Sequence, residues 1–287
     1  MTSWIQVPPR KQVEKNSFLF ETTEAGFCSQ FNNYLYSAMY ATSVNTPLYV
    51  NDTTNAVSLR YPLIKNTFVN QPNVTFTDTQ VLSATSLMRK SASQKIAGVL
   101  LQYLNRVEKP KFREMARKIF AWNPSLLLKI QARLDDASFP DEIDVGVHMR
   151  AGDKIITGES KDISVETYIN AIRKYQKESK KKTLTIFVMT DSSERLEELK
   201  RKKDSCWNIV TLGYPVNVKG HTQRDFNAAP SQTRMSAYID FMSELFLMQT
   251  LPQIICTYSS NIGRFLYLTA DDSTSVVSMD MPVFSPV

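Results

Sequence analysis

Four side chains able to bind anions or move protons are crowded into Val145-Gly146-Val147-His148-Met149-Arg150-Ala151-Gly152-Asp153-Lys154. An arginine offers a planar fork to a diphosphate and a lysine a point charge. A carboxylate or imidazole beside them can take or give a proton. The preceding run, Ile143 to Val147, is apolar and predicts a short buried strand. The charged cluster therefore falls at a strand's carboxyl end, where α/β sheets bind ligands. Three further stretches have the same form. Leu184 to Met189 is a continuous apolar strand ending in Thr190-Asp191; Ile254 to Thr257 leads through Tyr258-Ser259-Ser260-Asn261 into a helix that carries Arg264; and Ala25-Gly26-Phe27-Cys28 turns from a strand into a helix. A helix N-terminus presents free N–H groups to anions. Taken singly, each group has a plainer reading: His148 as a core histidine with His221 exposed, Glu244 as a helix-face carboxylate, Arg264 as a surface cation, Gly26 as a tight turn.

These residues need a scaffold of alternating strands and helices. Ser17 to Glu21 and Pro47 to Val50 read as strands joined by a helix over 29–43, whose Phe31, Leu35, Ala38 and Met39 share one face. That is a βαβ unit, and it implies a parallel sheet. Val74 to Thr77 is a further strand. Helices follow at Gln94 to Val107, Phe112 to Phe120 and Leu126 to Leu134, the last with Leu127, Ile130 and Leu134 as core candidates. Residues 135–141 read as a linker. Beyond it come the strand over 143–149, a helix capped by Ser164 with Tyr168, Ile172 and Tyr175 inward, the strand Leu184 to Met189, a helix over 194–203 and a strand over 208–212. A long polar loop spans 213–235. A helix over 237–248, a strand over 254–257, a helix from Ile262 and a strand over 276–279 complete the order. The pattern predicts an α/β protein of two Rossmann-like domains, residues 1–140 and 141–287, facing a cleft; a single doubly wound sheet is the competing arrangement.

With 287 residues, 43% of them hydrophobic, the chain is long enough for one large or two medium domains. A net charge of +6 and a pI near 9.1 point to an anionic partner. No dense basic arm interleaved with aromatics is present, which argues against nucleic acid. Cys28, Cys206 and Cys256 are odd in number and far apart, so a disulfide framework is not expected. Residues 1–9 lack the features of a signal peptide, and no apolar run reaches the roughly 18 residues of a membrane span. A cytoplasmic enzyme is the expectation.

The segments together resemble the α-1,6-fucosyltransferase and protein O-fucosyltransferase superfamily. His148-Met149-Arg150-Ala151-Gly152-Asp153-Lys154 is similar to its first motif, and Phe187-Val188-Met189-Thr190-Asp191 to its second. Glu244-Leu245-Phe246-Leu247-Met248, followed by Thr257-Tyr258-Ser259-Ser260 and Arg264, is similar to its third. The Gly26 segment resembles its N-terminal glycine turn. The resemblance implies the GT-B arrangement, with an acceptor-binding first domain and a donor-binding second. It implies an inverting transfer from a nucleotide sugar to a glycan hydroxyl without a covalent intermediate. On it, Arg150 holds the donor diphosphate and steadies the leaving group, while His148 and Glu244 contact the base. Thr257, Ser259 and Ser260 serve the phosphates. Gly26, Phe27, Cys28, Thr190, Asp191 and Arg264 complete the nucleotide-sugar site, and Asp153 and Lys154 lie near sugar and acceptor.

The chain departs from that family in two places. Ala151 stands where the α-1,6 enzymes carry a second arginine, and Glu159 is displaced by about one residue from their glutamate. Glu159 is the first candidate for general base, with Asp153 and an acid of the first domain as rivals. GDP-fucose is the implied donor, and the altered motif leaves a pentose donor such as UDP-xylose open. No Asp-x-Asp occurs in the sequence, so no metal and no other cofactor is expected. Family members of the Golgi carry a membrane anchor; a compact chain without one is expected of a bacterial or virus-encoded enzyme, the latter acting in the host cytoplasm. A binding protein that has kept the fold and lost turnover is the alternative.

Overall fold

The computed structural model describes residues 18–43, 45–52, 62–77, 109–213 and 218–284. The helix expected over 94–107 lies outside them. β1 (Phe18–Glu21) leads into α1 (Phe27–Ser43), which returns the chain to β2 (Leu48–Asn51). Phe31, Leu35, Ala38 and Met39 are at most 1% exposed, so the helical spacing of apolar residues does drive this face inward. After α2 (Leu63–Thr67), β3 (Val74–Thr77) completes a three-stranded parallel sheet in the order β1-β2-β3. Next come α3 (Lys109–Ile119) and α4 (Pro124–Asp136). Asn123 caps α4, its side chain accepting from Ser125 N at 2.9 Å, and Pro124 fits the first turn because its missing N–H is not needed there. The inward stripe of α4 is Leu126 and Ile130, one turn apart; Leu134, a further turn along, is half-buried and packs against the same core, and Leu127, expected in the core, stands beside the stripe and is half-buried.

The second sheet begins with β4 (Val145–Met149), buried at every position. α5 (Asp153–Ile156) and α6 (Val165–Ser179) lead to β5 (Leu184–Thr190), and α7 (Ser193–Lys202) to β6 (Trp207–Val210). The stretch read as a polar loop holds α8 (Gln223–Ala228) and the first turns of α9 (Ser231–Thr250). The first turns of α9 carry no apolar period, so hydrophobic spacing does not announce them. β7 (Gln253–Cys256), α10 (Asn261–Thr269) and β8 (Ser275–Ser278) follow. All five strands are parallel, in the order β6-β5-β4-β7-β8. The chain steps outward from β4 to β6 and then returns to the other flank of β4. That reversal opens a crevice between the carboxyl ends of β4 and β7.

One apolar core runs from α1 and α4 to Met242 and Leu245 of α9 and Ile254 of β7. A second core, including Val147, Ile172 and Leu196, covers the opposite face of the larger sheet. Polar ties reinforce the join. Asn32 Nδ2 donates to Asn261 O at 3.0 Å, Thr67 Oγ1 and Tyr238 OH share a hydrogen bond of 2.7 Å, and Arg133 Nε donates to Asp240 Oδ1 at 2.5 Å. Phe139, in the connection between the sheets, stands edge-on to Phe187 of β5 at 5.7 Å. All three cysteines are free thiols. Among the described residues no helix is long and apolar enough to cross a membrane.

Candidate functional site

A cavity of about 470 Å3 lies where the carboxyl ends of β4, β5 and β7 meet the N-terminal ends of α1 and α10. Its first wall is built by strand register. Met149 pairs with Thr190, so Arg150 and Asp191 leave adjacent strands side by side, and Thr190 Oγ1 donates to Met149 O at 2.8 Å to hold the two ends together. The Arg150 guanidinium, only 12% exposed, donates to Asp191 Oδ2 and, at 2.9 Å, to Asp153 Oδ1. Asp191 also accepts from Ala151 N at 2.9 Å and His221 N at 3.1 Å; Asp153 Oδ2 accepts from Gln223 N at 2.9 Å. The residues after β4 and those before α8 thus touch backbone to backbone. Gly152 and Gly220 make that possible. Both have positive φ, and a Cβ on either would fall 2.3 Å from the other segment's backbone. Lys154 and Glu159 reach the same cavity as an ion pair of 2.7 Å, and Thr157 Oγ1 donates to Glu159 at 3.1 Å. The hydrogen bond from Lys154 holds the Glu159 carboxyl below the usual glutamate range.

The second wall is made of helix starts. Gly26, Phe27 and Cys28 open α1, and Ser259 and Ser260 open α10. Neither helix has an acidic residue in its first turn, so the positive ends of both dipoles are left for a ligand. Asp280 shapes the turn before α10 by accepting from Tyr258 N at 2.9 Å and Ser259 N at 3.1 Å. Burial pushes Asp280 up, but the hydrogen bonds from Ser259 and Ser278 outweigh it and its carboxyl ends below the ordinary range. Arg264 Nε donates to Tyr258 O at 2.9 Å and its Nη1 to Asn261 Oδ1 at 3.4 Å, both neutral acceptors. Burial raises the Cys28 thiol, which suits a small packed side chain and not a thiolate. Thr257 departs from its expected place. It is 1% exposed, does not line the cavity, and packs its carbonyl against Gly263, where a Cβ would come within 2.0 Å.

Two groups close the cavity floor. His148 is 2% exposed, and burial, then the nearby Arg150 charge, lower its pKa to about 4 against the opposing pull of Asp191. It is therefore a neutral imidazole at neutral pH. Burial lifts Glu244 of α9 to about 8, with Asp240 adding and Arg133 opposing, so Glu244 can both donate and accept a hydrogen bond. The remaining lining was not foreseen. His221, expected on the surface, is half-buried in the cavity with Gln223 and Phe226 of α8 and Phe241 of α9. Phe27 packs against Phe226 at 5.6 Å and Phe241 at 5.4 Å. The one signal for this segment was Thr222-Gln223-Arg224-Asp225, a capping pattern in which Thr222 accepts from Asp225 N at 3.4 Å.

No protein-family model matches the sequence, and no curated protein matches it. Solved structures do match in shape. The fucosyltransferase NodZ from Bradyrhizobium superposes with a TM-score of 0.57 over 90% of this chain and 94% of its own, at 14% identity. The chain has the NodZ fucosyltransferase fold. NodZ α-1,6-fucosyltransferase soaked with GDP-fucose gives 0.54 at 16% identity, over 89% of this chain and 93% of NodZ. A mutant of FUT1 from Arabidopsis thaliana in complex with GDP also gives 0.54, at 8% identity, over 90% of this chain and 72% of that one. Identities this low establish the likeness to NodZ as one of fold.

Proposed function

We propose that the chain is a glycosyltransferase that moves a sugar from a nucleoside-diphosphate donor to a glycan hydroxyl, with GDP-fucose as the donor. The observation that carries this reading is the convergence of two helix N-termini, Arg264 and Arg150 on one cavity at the switch point of a parallel sheet. A diphosphate matches that set of donors, and cations fixed in position stabilise the charge that grows on a leaving phosphate. The nucleobase would lie toward His148 and Glu244, both neutral at neutral pH. GDP-fucose soaked into NodZ, and GDP co-crystallised with it, favour this donor over a pentose nucleotide. The transfer would be inverting and metal-independent, the two sheets acting as the acceptor half and donor half of a GT-B enzyme divided near residue 140.

The test is a thermal-shift panel with GDP, UDP, GDP-fucose and UDP-xylose, each with and without EDTA, paired with an assay for nucleotide released from each sugar donor. A ligand at 100 times its dissociation constant adds about 2.7 kcal/mol. Stabilisation by GDP that survives EDTA, with turnover of GDP-fucose lost in Arg150→Ala, is expected. Stabilisation by UDP alone moves the donor to the pentose class. Binding with no turnover of either donor converts the reading to a silent nucleotide-binding protein, and no shift with any nucleotide ends it.

A further inference from the structure

Transfer to a hydroxyl requires a group that removes the hydroxyl proton as the oxygen attacks. The acids lining the cavity are poorly suited. Asp191 and Asp153 are committed to Arg150 and to backbone N–H groups. Glu159 is held by Lys154 and Thr157, and its lowered value makes it a weak base. Glu244 is protonated at neutral pH. Asp52 of the first sheet is brought to about 7 by burial, but it does not line the cavity. His148 is sealed at the floor, and its value near 4 is far below neutrality.

His221 is placed differently. It is half-buried and lines the cavity. Its ring leans on Phe226, centroids 5.7 Å apart at 54°. The Gln223 side chain lies near enough to the His221 ring to raise its proton affinity as a hydrogen-bond partner. Gln223 is itself oriented, since its Nε2 donates to Asn227 Oδ1 at 2.9 Å, and Asn227 Nδ2 donates to Glu24 O at 3.2 Å. This leaves Gln223 Oε1 as the acceptor, and a Cβ on Gly26 would lie 3.2 Å from it, so the pair sits at the mouth of α1. A ring nitrogen that donates to Gln223 would leave the other to accept from a ligand in the cavity that His221 lines, which is the arrangement of a base oriented by a third group.

We propose that His221 is the general base of the transfer and Gln223 its positioning residue, an inference that rests on the transferase reading above. The acceptor O–H proton passes to the free ring nitrogen, and the oxygen forms the new bond to the anomeric carbon. The bond from that carbon to the diphosphate oxygen breaks, and the nucleoside diphosphate leaves with the electron pair, steadied by Arg150. The imidazolium then returns its proton to solvent. The charged groups that face the ring are Arg150, Asp191 and Asp153. Burial lowers the imidazole below its ordinary 6.5, with Arg150 adding and Asp191, Asp153 and Gln223 opposing. His221 is therefore unprotonated at neutral pH, and the rate falls as pH drops through its lowered value.

The experiment needs no natural acceptor. Release of GDP from GDP-fucose is followed with water, and then with azide, as the incoming nucleophile, alongside calorimetric binding of GDP. UDP-xylose and UDP replace them where the wild type turns over that donor. His221→Gln is expected to slow release to water by about a hundredfold or more, to lose the acid limb of the pH profile, and to bind the nucleotide as tightly as wild type. Azide carries no proton to remove, so it restores release in His221→Gln, with glycosyl azide as product. Gln223→Leu removes an interaction that raises the imidazole value, and is expected to slow release and move the acid limb to lower pH with nucleotide affinity unchanged. A His221→Gln protein that keeps the wild-type rate and limb overturns the base assignment alone. One that loses rate and nucleotide affinity together, without azide rescue, assigns His221 a structural role and overturns it too. A wild type that releases nothing from either donor overturns the transferase reading, and the base falls with it.

Discussion

The two walls of the cavity hold positive charge in opposite ways. On the β4–β5 wall, Arg150 is bonded to two carboxylates, and Lys154 is paired with Glu159. Two cations there face three carboxylates, so the formal net charge is negative before any ligand arrives. On the helix wall, the starts of α1 and α10 have no acid in their first turns, and among the described residues Arg264 is bonded to neutral oxygens. The difference separates geometry from affinity. The first wall fixes where a guanidinium points; the second sets Arg264 and two helix starts toward an anion, with Asp280 bonded to the turn before α10.

The largest effect should come from breaking the first wall. Asp191→Ala removes one partner of an ion pair whose side chains are 12% and 16% exposed, and also frees Ala151 N and His221 N. Losing one member of a buried pair costs about 3 kcal/mol; Asp153 remains to share Arg150, which holds the loss near that value. Chemical denaturation should show the drop. A loss under about 0.5 kcal/mol, typical of a surface pair, would mean that the wall is not locked.

A smaller effect, read in binding and not in stability, should follow from Arg264→Ala. A hydrogen bond to a charged group contributes about 1.5–3 kcal/mol, so GDP affinity should fall at least tenfold. Arg150→Ala should cost less affinity than Arg264→Ala and more turnover, because the charge of Arg150 is already answered by Asp153 and Asp191. Calorimetry on the two variants decides this; equal losses would erase the distinction between the walls.

What the sequence disclosed follows the same division. Arg150, Asp153 and Asp191 were legible because apolar strands end where charge begins, and parallel register then brings Arg150 and Asp191 together. The helix starts were legible from Gly26 and from Ser259-Ser260 after short apolar runs. Thr257 was misplaced because strand alternation does not say which way the first residue past a strand turns, and the close approach of Gly263 turns it inward. His221, Gln223 and Phe226 were hidden for another reason. A six-residue helix, α8, is too short to display a period, and its position is fixed by the Gly152–Gly220 crossing, a contact between residues far apart in the chain.

The smallest effect tests whether the helix wall depends on its caps. Ser260 accepts from Ile262 N at 3.3 Å and stands at the cavity edge. Ser192 caps α7 in the same manner, accepting from Arg195 N at 3.3 Å, and does not line the cavity. Ser260→Ala should cost about 1 kcal/mol of stability, the ordinary worth of an N-cap, and Ser192→Ala somewhat more, because the Ser192 hydroxyl also donates to Val218 O at 2.7 Å. Only Ser260→Ala should also weaken GDP binding, since frayed N–H groups at the start of α10 no longer converge on the anion. A stability loss in both with binding reduced in Ser260→Ala alone would assign the capped helix start, and not helix content in general, to the ligand. If Ser192→Ala weakens binding as much, the effect comes from the fold as a whole.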